Sequence, residues 1–465
     1  MIATIGPACD AETTLKEMIA AGMNVVRLNL SHDSLDKHSE RLNKVRRAAE
    51  SMQTNIAVMV DTRGREIRTG QIDGGAIELQ SDQDFVLYSD NRIGTTDGVS
   101  ISHPTLHDNV KLRDRILLDD GIIELAVTGV ANGAVQCRVV CGGTLRDNKG
   151  VNLPDNPGAF NSLTSDDTGD LEFAVHHDVE YLAASFIRNA SDIQRIRSQL
   201  TALGAQIPII AKIENRSAVE NLDDIIATAD GTMVARGDLG VELQLAQGPT
   251  IQKRIIRTTV TNGKPVITAT QMLDSMERNP RPTRAEVSDV ANAILDGTSA
   301  VMLSGETAAG AHPVEAVRTM VGLALEAEAG LREYGHLQQI LPNPSNVVTE
   351  AVAQASITMA NHLDAAAIIA LTETGFTSRL ISKHRPDCPI LAVTSSLQVV
   401  RRLAMNWGVL AIHYPEDGSD EDKIHFATRR GKELGYIRSN DIVIVTAGSS
   451  HQAGSTDLIR VLTVD

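Results

Sequence analysis

The sequence predicts an α/β protein: a closed (β/α)8 TIM barrel, an all-β lid domain inserted into that barrel, and a C-terminal α/β sheet domain. Three observations lead to this prediction. Short apolar runs alternate with amphipathic helical stretches in two separated parts of the chain. A stretch of alternating residues and turn formers interrupts that series. A linker rich in proline and asparagine then precedes a further set of strand-like runs.

Eight apolar runs of strand length supply the strands of the predicted barrel. They read MIATIG, NVVRLNL, IAVMVD, EYLAAS, IPIIAKIE, DGTMVA, KPVITAT and SAVMLSG. The first three fall in residues 1–64 and the other five in residues 154–332. We therefore expect the barrel to be assembled from these two segments of the chain.

Between the third and fourth of these runs the pattern changes to short alternating stretches. They are separated by glycine, asparagine and aspartate, as in DRILLDDGIIELAVTGVANGAVQCRVV. This pattern predicts an all-β insert at residues 65–153. Because loops that follow barrel strands emerge at the mouth of the barrel, we expect the insert to lie over that mouth as a lid.

The linker LPNPSN follows a helical stretch at about residues 312–330. Beyond it, helical stretches separate the apolar runs AAIIAL, CPILAV, GVLAI and DIVIVT. This alternation predicts an open α/β sheet domain at residues 345–465.

Composition excludes several classes of protein. The net charge of −16 and the aromatic content of 3% argue against a nucleic-acid partner, which needs basic surfaces and stacking platforms. No apolar run approaches the ~20 residues needed to cross a bilayer, and the N-terminus lacks the residue order of a signal peptide. Four scattered cysteines fit a reducing compartment. We expect a cytoplasmic protein with no membrane partner.

Polar side chains recur at the carboxyl ends of the predicted barrel strands, where (β/α)8 enzymes place their active sites. In the run IIAKIEN, Lys212 and Glu214 stand two positions apart and so point to the same face. The other polar strand ends carry Arg27, Asn29, Asp61, Thr62, Gly237, Asp238, Thr270 and Glu306. One such pair can be a surface ion pair, but the whole series predicts a shared pocket that handles anions.

The types of residue in this pocket narrow its chemistry. Glu214 and Asp238 offer hard oxygen ligands from neighbouring strands, which suit Mg²⁺. Arg27 and Lys212 supply positive charge for phosphate oxygens. This combination indicates phosphoryl transfer. Enolisation in a metal-dependent barrel uses similar groups, so that alternative stays open.

At these residues the sequence resembles the pyruvate kinase family, and the resemblance runs over essentially the whole chain. The matching stretches, in the family's order, are TIGPA, GMNVVRLNLSH, DTRGREIRTG, NKGVNLP, IIAKIEN, MVARGDLGVE, ITATQMLDSM, PTRAEVSDVANAILDGTSAVMLSGETA and ISKHRPDCPILAVT. The resemblance implies a barrel, a lid inserted after strand three and a C-terminal α/β domain. It also implies transfer of the phosphoryl group of phosphoenolpyruvate to ADP, the last step of glycolysis, with Mg²⁺ and K⁺ as cofactors, in a homotetramer.

The resemblance assigns catalytic roles position by position. Lys212 matches the lysine that stabilises charge on the phosphoryl group in flight, and Arg27 matches the arginine that touches the substrate phosphate. Glu214 and Asp238 match the Mg²⁺ ligands. The site for the pyruvate carboxylate corresponds to the backbone of Gly237 and Asp238 with the hydroxyl of Thr270.

Further positions resemble the family's K⁺ and nucleotide sites. The implied K⁺ ligands are Asn29, Ser31, Asp61 and Thr62. The implied nucleotide contacts are Asn29, Leu30, Ser31, His32, Arg68 and Lys149, the last reaching down from the lid. Glu66 stands where K⁺-dependent members carry glutamate and K⁺-independent members tend to carry lysine, so we expect K⁺ dependence.

A second anion site is possible in the C-terminal domain. The stretch LTETGFTSRLI places Thr372, Thr374, Gly375, Thr377 and Ser378 between a strand and a helix. Amides and hydroxyls there can bind an anion or simply cap the helix. The family has an effector loop here, but AGSSHQAGSTD lacks the tryptophan and arginine of members that respond to fructose bisphosphate. A sugar monophosphate, a nucleotide monophosphate and no effector all stay open.

Some positions depart from the family's usual pattern. Asp33 and Asp155 each replace a frequent glycine, Arg65 lies in RGRE where KGPE is common, and Ala309 replaces a lysine. None of these changes removes a matched metal or phosphate ligand, although lid closure and nucleotide affinity could differ. Two other hypotheses therefore stay open: a barrel lyase that handles phosphoenolpyruvate or pyruvate, and a metabolite-sensing protein without catalysis.

Overall fold

A computed structural model describes residues 1–64, 67–155, 165–335, 347–448 and 456–465, with the side chains of the third range given from residue 167 onward. Glu66 and Arg65 lie outside the described residues, as does most of the glycine- and serine-rich stretch at 447–457. Within the described ranges, no helix is both long and apolar enough to cross a membrane.

The first barrel segment alternates strands and helices. Its elements are β1 (Ile2–Thr4), α1 (Glu12–Ala20), β2 (Val25–Asn29), α2 (Leu35–Ser51) and β3 (Ala57–Asp61). The start of α2 is fixed by Ser34, whose side chain accepts a hydrogen bond from the backbone N–H of Lys37.

The insert forms a small β domain of its own. Its strands are β4 (Ile67–Arg68), β5 (Ala76–Leu79), β6 (Asp84–Tyr88), β7 (Gly98–Ser100), β8 (Arg115–Leu118), β9 (Ile123–Ala131), β10 (Ala134–Cys141), β11 (Gly143–Arg146) and β12 (Gly150–Asn152). Seven of them form a sheet in the order β4-β12-β8-β9-β10-β6-β7, and β11 pairs with β5. Apolar residues on alternate positions, among them Phe85, Leu87 and Leu125, pack into a core separate from that of the barrel.

The second barrel segment returns to alternating strands and helices. Its strands are β13 (Tyr181–Ala184), β14 (Ile209–Ile213), β15 (Gly231–Ala235), β16 (Val266–Ala269) and β17 (Ala300–Leu303). Its helices are α3 (Ser165–His176), α4 (Ala190–Ala202), α5 (Arg216–Glu220), α6 (Leu222–Thr228), α7 (Arg236–Glu242), α8 (Gly248–Thr261), α9 (Arg284–Leu295), α10 (Gly305–Ala308), α11 (Pro313–Ala329) and α12 (Leu331–Tyr334).

The strands of the two segments close into one parallel barrel. Around the barrel the order is β1-β17-β16-β15-β14-β13-β3-β2, with β1 pairing both β2 and β17. This closed barrel, the mixed sheets and the surrounding helices confirm the predicted fold class. Alternation along each strand sends one set of side chains into the barrel, including Ile2, Val25, Met59 and Ile210, and the other set against the helices.

The last part of the chain is an open α/β sheet covered by helices. Its strands are β18 (Ala367–Leu371), β19 (Ile390–Thr394), β20 (Val409–His413), β21 (Ile442–Gly448) and β22 (Thr456–Thr463). Its helices are α13 (Val347–Leu363), α14 (Phe376–Lys383), α15 (Leu397–Leu403) and α16 (Asp420–Glu433). The strand order is β20-β19-β18-β21-β22, and β22 runs antiparallel to its neighbour.

This sheet domain packs against the amino-terminal end of the barrel, opposite the active-site face. The hydroxyl of Tyr181 at the start of β13 donates to the carbonyl of Arg402 at 2.6 Å. The buried carboxylate of Glu180 is paired with Arg46 of the barrel at 3.0 Å and with Arg401 of the sheet domain at 3.2 Å. The carboxyl ends of the barrel strands are thus not covered by this domain.

Candidate active site

The interior face of the barrel turns from apolar to polar at its carboxyl end. Every second side chain of a strand points into the barrel, so Lys212 and Glu214 follow Ile210 on the inner face, and Asp61 follows Met59. On β2, Arg27 follows Val25 on the inner face in the same way. These charged side chains therefore converge on one space because each strand has the same alternation.

Asp61 is the centre of this polar layer. One carboxylate oxygen accepts from Arg27 Nε at 2.7 Å. The other accepts from Ser185 Oγ at 3.2 Å and lies 3.2 Å from Lys212 Nζ. Burial alone would raise the pKa of Asp61, but Arg27 and Lys212 outweigh it and lower that pKa. Asp61 is therefore an anion that holds both cations in place.

Lys212 is held by three oxygen-bearing side chains. Its Nζ donates to Ser185 Oγ at 2.8 Å and also lies 3.3 Å from Glu214 Oε2. Burial opposes the charged ammonium, but the carboxylates of Asp61 and Glu214 prevail and raise the pKa of Lys212. Lys212 thus stays protonated and presents a fixed positive charge beside Arg27.

Glu214 has a different electrostatic environment. One of its oxygens accepts from the backbone N–H of Phe186, and Oε2 forms the ion pair of 3.3 Å with Lys212 Nζ. Burial raises the pKa of Glu214 to about 7; the Lys212 charge opposes that rise, while Asp238 adds to it. Glu214 is therefore a buried carboxyl group in a place where negative charge is costly.

Three carboxylates, Asp61, Glu214 and Asp238, lie close enough to Lys212 to raise its pKa. No group of three or more His, Cys, Asp or Glu side chains suited to a metal occurs in the described ranges. Mg²⁺ needs no such group, because it takes one or two carboxylates and completes its octahedron with water and substrate oxygens. The neighbouring carboxylates of Glu214 and Asp238 fit such an ion.

The residues assigned to the substrate carboxylate lie on two neighbouring strand ends. Gly237 and Asp238 are in the first turn of α7, and Thr270 directly follows β16. A Cβ built on Gly237 would lie only 3.0 Å from Thr270 Cγ2, so these segments are in direct contact. Thr270 has φ of 71°, a rare conformation for a residue branched at Cβ.

The residues assigned to K⁺ lie at the ends of β2 and β3. Asn29 is opposite Asp61 in the pairing of these strands. Asn29 Oδ1 accepts from the backbone N–H of Ser31 at 3.2 Å, and the Thr62 carbonyl accepts from Ser185 Oγ at 2.8 Å. Nearby, Leu30 is buried and donates its backbone N–H to the Asp61 carbonyl at 3.0 Å. The expected K⁺ ligands therefore occur together.

The residues assigned to the nucleotide divide between the barrel and the lid. His32 is exposed on the barrel side, and its carbonyl accepts from the ring of His38 at 2.6 Å. In the lid, Arg68 on β4 donates to the carbonyl of Asn148 at 2.9 Å. Lys149 forms an ion pair of 2.8 Å with Asp119, which belongs to the lid as well. Lys149 directly precedes β12, in which Gly150 is paired with Arg68.

The five residues of the possible effector site surround the start of α14. Thr372 Oγ1 accepts from the backbone N–H of Gly375 at 2.9 Å, and the Thr374 carbonyl accepts from Arg379 at 3.1 Å. Thr377 hydrogen-bonds Thr456. Ser378 is buried, and within the described part of the chain its hydroxyl has no hydrogen-bond partner. Hydroxyls and a left-handed Gly375 with φ of 77° thus precede the helix.

Two departures from the family pattern form ion pairs. Asp33 has φ of 65°, which explains why glycine suits this position, and its carboxylate pairs with Lys37 at 3.0 Å and Arg41 at 2.8 Å. Asp155 pairs with Arg115 of β8 at 2.9 Å, where the chain leaves the lid. Both aspartates therefore make local contacts outside the polar layer.

Sequence analysis did not single out Ser185 and Phe186. Ser185 donates to Asp61 and accepts from Lys212, and the backbone of Phe186 donates to Glu214. Ser185 does carry a sequence signal, since it ends the run EYLAAS at the position where the other strands carry charge. The role of Phe186 depends on its backbone, with φ of 55°, and has no such signal.

Comparison with known proteins agrees with this architecture. The family model described as pyruvate kinase, barrel domain, matches residues 1–317, and the model described as pyruvate kinase, alpha/beta domain, matches residues 350–462. Pyruvate kinase from Geobacillus stearothermophilus is 45% identical over 99% of this chain and 79% of its own length. Pyruvate kinase from Clostridium acetobutylicum is 42% identical over 100% of this chain and 99% of its own. The chain therefore belongs to the pyruvate kinase family, whose members are kinases of the transferase class.

Proposed function

We propose that the chain transfers the phosphoryl group of phosphoenolpyruvate to ADP at the carboxyl end of the barrel, giving pyruvate and ATP, with Mg²⁺ and K⁺. One observation carries this proposal. The Lys212 ammonium is buried beside the Arg27 guanidinium, and both cations are held by Asp61. Two fixed cations in a water-poor pocket suit a group that carries negative charge on three oxygens during transfer.

In this proposal Glu214 and Asp238 hold Mg²⁺. The two carboxylates are close enough for Asp238 to raise the pKa of the buried Glu214, which supports a shared cation. Bound Mg²⁺ would neutralise charge on substrate oxygens and orient them. The softer ligands that other metals prefer, histidine and cysteine, do not cluster with these carboxylates in the described ranges.

The chain's own side chains orient and stabilise the group that moves. Arg27 binds phosphate oxygens of phosphoenolpyruvate, and Lys212 stabilises the charge that builds up as the bond between phosphorus and the enol oxygen breaks. A terminal oxygen of ADP forms the new bond to phosphorus, and the enolpyruvate left behind takes a proton on carbon to become pyruvate. The Thr270 hydroxyl and the amides of Gly237 and Asp238 hold the carboxylate of the three-carbon substrate in place.

K⁺ has its proposed ligands in Asn29, Ser31, Asp61 and Thr62. Amide, hydroxyl, carboxylate and carbonyl oxygens suit a large hard cation. The pairing of Asn29 with Asp61 across β2 and β3 supports a site beside the substrate phosphate, because Asp61 also holds Arg27. The requirement for K⁺ rests further on Glu66, whose assignment comes from the family resemblance.

We propose that the nucleotide binds between the barrel mouth and the lid. The contacts are Asn29, Leu30, Ser31 and His32 from the barrel, with Arg68 and Lys149 from the lid. Arg68 donates to the carbonyl of Asn148, the residue before Lys149, and this proximity supports their joint use for phosphate oxygens. For Lys149 this requires exchange of the Asp119 carboxylate for a nucleotide phosphate.

Three further assignments belong to the proposal. The start of α14, with Thr372, Thr374, Gly375, Thr377 and Ser378, would bind an anionic effector, and the buried Ser378 hydroxyl supports this assignment.

The assembly would be a homotetramer, and size-exclusion chromatography with light scattering tests this oligomeric state. The protein would be located in the cytoplasm. The cysteines in the described part of the chain are free thiols, which agrees with this reducing compartment.

The test of the proposed reaction is pyruvate formation from phosphoenolpyruvate and ADP in a coupled assay. Mg²⁺ and K⁺ are each supplied and omitted in turn. We expect turnover that requires both ions. Absence of turnover under every ion condition, from folded protein that still binds ADP, would contradict the proposal and favour a sensing protein without catalysis.

A further inference from the structure

The backbone that follows β16 is held in a strained conformation. Thr270 and Gln271 have φ of 71° and 53°, both in the left-handed region. This region is unfavourable for side chains branched at Cβ, such as threonine, and it persists only where surrounding contacts impose it. Side chains on β16 alternate between its two faces, and this regular pattern stops at the turn. The direction of the Thr270 side chain is therefore set by the local backbone conformation.

A single guanidinium, that of Arg236, supplies such contacts. Its Nε donates to the carbonyls of Ala269 at 3.2 Å and Thr270 at 3.0 Å. Its Nη2 donates to the carbonyls of Thr270 at 2.7 Å and Gln271 at 3.0 Å. Three consecutive carbonyls are thus bound by one side chain. Arginine can do this because its donors are spread over a rigid fork, whereas lysine donates from one point.

The third nitrogen of the guanidinium is anchored elsewhere. Arg236 Nη1 is paired with Asp289 Oδ2 at 2.5 Å, and Asp289 belongs to α9. The guanidinium is also largely buried, with a side-chain exposure of 17%. Arg236 therefore has a fixed position relative to the helix layer, and through its other two nitrogens it fixes the strained turn as well.

Arg236 also directly precedes the other half of the carboxylate site. It is the first residue of α7, followed by Gly237 and Asp238. Because Gly237 has no side chain, Thr270 can pack directly against it; a Cβ at position 237 would lie 3.0 Å from Thr270 Cγ2. The side chain of Arg236 thus holds one half of the site while its backbone continues into the other half.

We infer that Arg236 is a positioning residue for the substrate carboxylate: it holds Thr270 against Gly237 without touching the substrate. This inference rests on the proposed function, because it explains how that carboxylate site is built. Without the guanidinium, Thr270 can relax toward negative φ, and its side chain then moves away from Gly237. Affinity for the carboxylate falls, while the ADP contacts, which lie on other elements, are unaffected.

The test compares Arg236→Gln and Arg236→Lys with wild type. For Arg236→Gln we expect kcat/KM for phosphoenolpyruvate to fall roughly 10- to 100-fold, the scale of a small misplacement at a binding group. KM for ADP should stay unchanged, and Arg236→Lys should recover part of the loss. The matched control is Arg318→Gln, which removes an exposed arginine that pairs only loosely with Glu315, at 3.6 Å. It should behave as wild type.

Calorimetric binding of oxalate with Mg²⁺ gives a second readout that does not need turnover. Weaker oxalate binding in Arg236→Gln than in wild type supports the inference, even if wild type makes no pyruvate and the proposed function fails. Equal oxalate affinity in the two proteins overturns the inference, even if wild type is a working kinase. If Arg236→Gln loses affinity for oxalate and for ADP alike, the inference is overturned as well, because such a result indicates general structural damage.

Discussion

The ammonium nitrogen of Lys212 lies 3.3 Å from Oε2 of Glu214. The pair is buried, and the two side chains have different tasks in the proposed reaction: one faces the phosphoryl group and the other holds a metal. Because Asp61 also supports Lys212, at 3.2 Å, the lysine keeps its place and charge if Glu214 turns to Mg²⁺. The position of Lys212 therefore does not depend on Glu214 alone.

Lys212→Met should remove the charge that stabilises the phosphoryl group during transfer. We expect turnover to fall roughly 10²- to 10³-fold, the scale for loss of one well-placed electrostatic donor, with Mg²⁺ binding largely intact. Steady-state kinetics and a Mg²⁺ titration measure the two effects. Lys37→Met, which alters an exposed lysine paired with Asp33, is the control. Comparable turnover in wild type and Lys212→Met would remove Lys212 from the mechanism.

Mg²⁺ affinity should depend on pH through Glu214. The pKa of Glu214 is raised to about 7 in the metal-free protein, so below this pH the side chain binds a proton that Mg²⁺ must displace. We expect the apparent affinity to be constant above the pKa and to fall by up to about tenfold per pH unit below it. The increase in Tm on adding Mg²⁺, measured at pH values between 5.5 and 8.5, reports this change in Mg²⁺ affinity. Glu214→Gln should bind weakly with little pH dependence in this range; a pH profile equal to that of wild type would exclude Glu214 as the titrating ligand.

Activity should depend on K⁺ through residue 66. In wild type we expect most turnover to be lost when K⁺ is replaced by tetramethylammonium, which cannot be ligated by oxygens. In Glu66→Lys the new ammonium should stand in for the ion, so turnover should be nearly equal in both salts. Initial rates at constant ionic strength measure this difference. Wild-type activity undiminished in tetramethylammonium would contradict the proposed K⁺ site.

Gly237→Ala should displace Thr270. The new Cβ would lie 3.0 Å from Thr270 Cγ2, which is closer than nine in ten real Cβ contacts, so one segment must move. We expect kcat/KM for phosphoenolpyruvate to fall roughly 10- to 100-fold with KM for ADP unchanged. Gly322→Ala, where a Cβ on α11 would meet open space, is the control. Wild-type kinetics in Gly237→Ala would argue against a carboxylate site at this contact.

The sequence predicts the fold class well because barrel strands carry strong periodic signals. Each of the eight quoted apolar runs contains one barrel strand; IPIIAKIE, for example, contains β14 at Ile209–Ile213. Alternation also predicts that Lys212 and Glu214 share a face, and their 3.3 Å separation agrees. Both features can be predicted because they depend on the order of polar and apolar residues within a single strand.

Other parts of the site depend on tertiary contacts that no local pattern encodes. Arg236 lies in a motif that the sequence analysis quoted, yet its hydrogen bonds to the 269–271 backbone appear only when β15 and β16 are adjacent. Phe186 acts through a backbone N–H in a left-handed conformation. Thr4, which accepts from Arg27 at 3.1 Å, acts through a hydroxyl on the neighbouring strand β1. Spacing in the sequence could not connect these residues to the site.

The most direct test of the central claim is phosphorus NMR of phosphoenolpyruvate and ADP mixed with the protein, Mg²⁺ and K⁺. We predict that the phosphoenolpyruvate signal is replaced by the three signals of ATP, and that this conversion slows roughly 10²- to 10³-fold in Lys212→Met. Conversion of phosphoenolpyruvate to inorganic phosphate with no ATP, or no conversion by folded wild-type protein, would contradict phosphoryl transfer at this site.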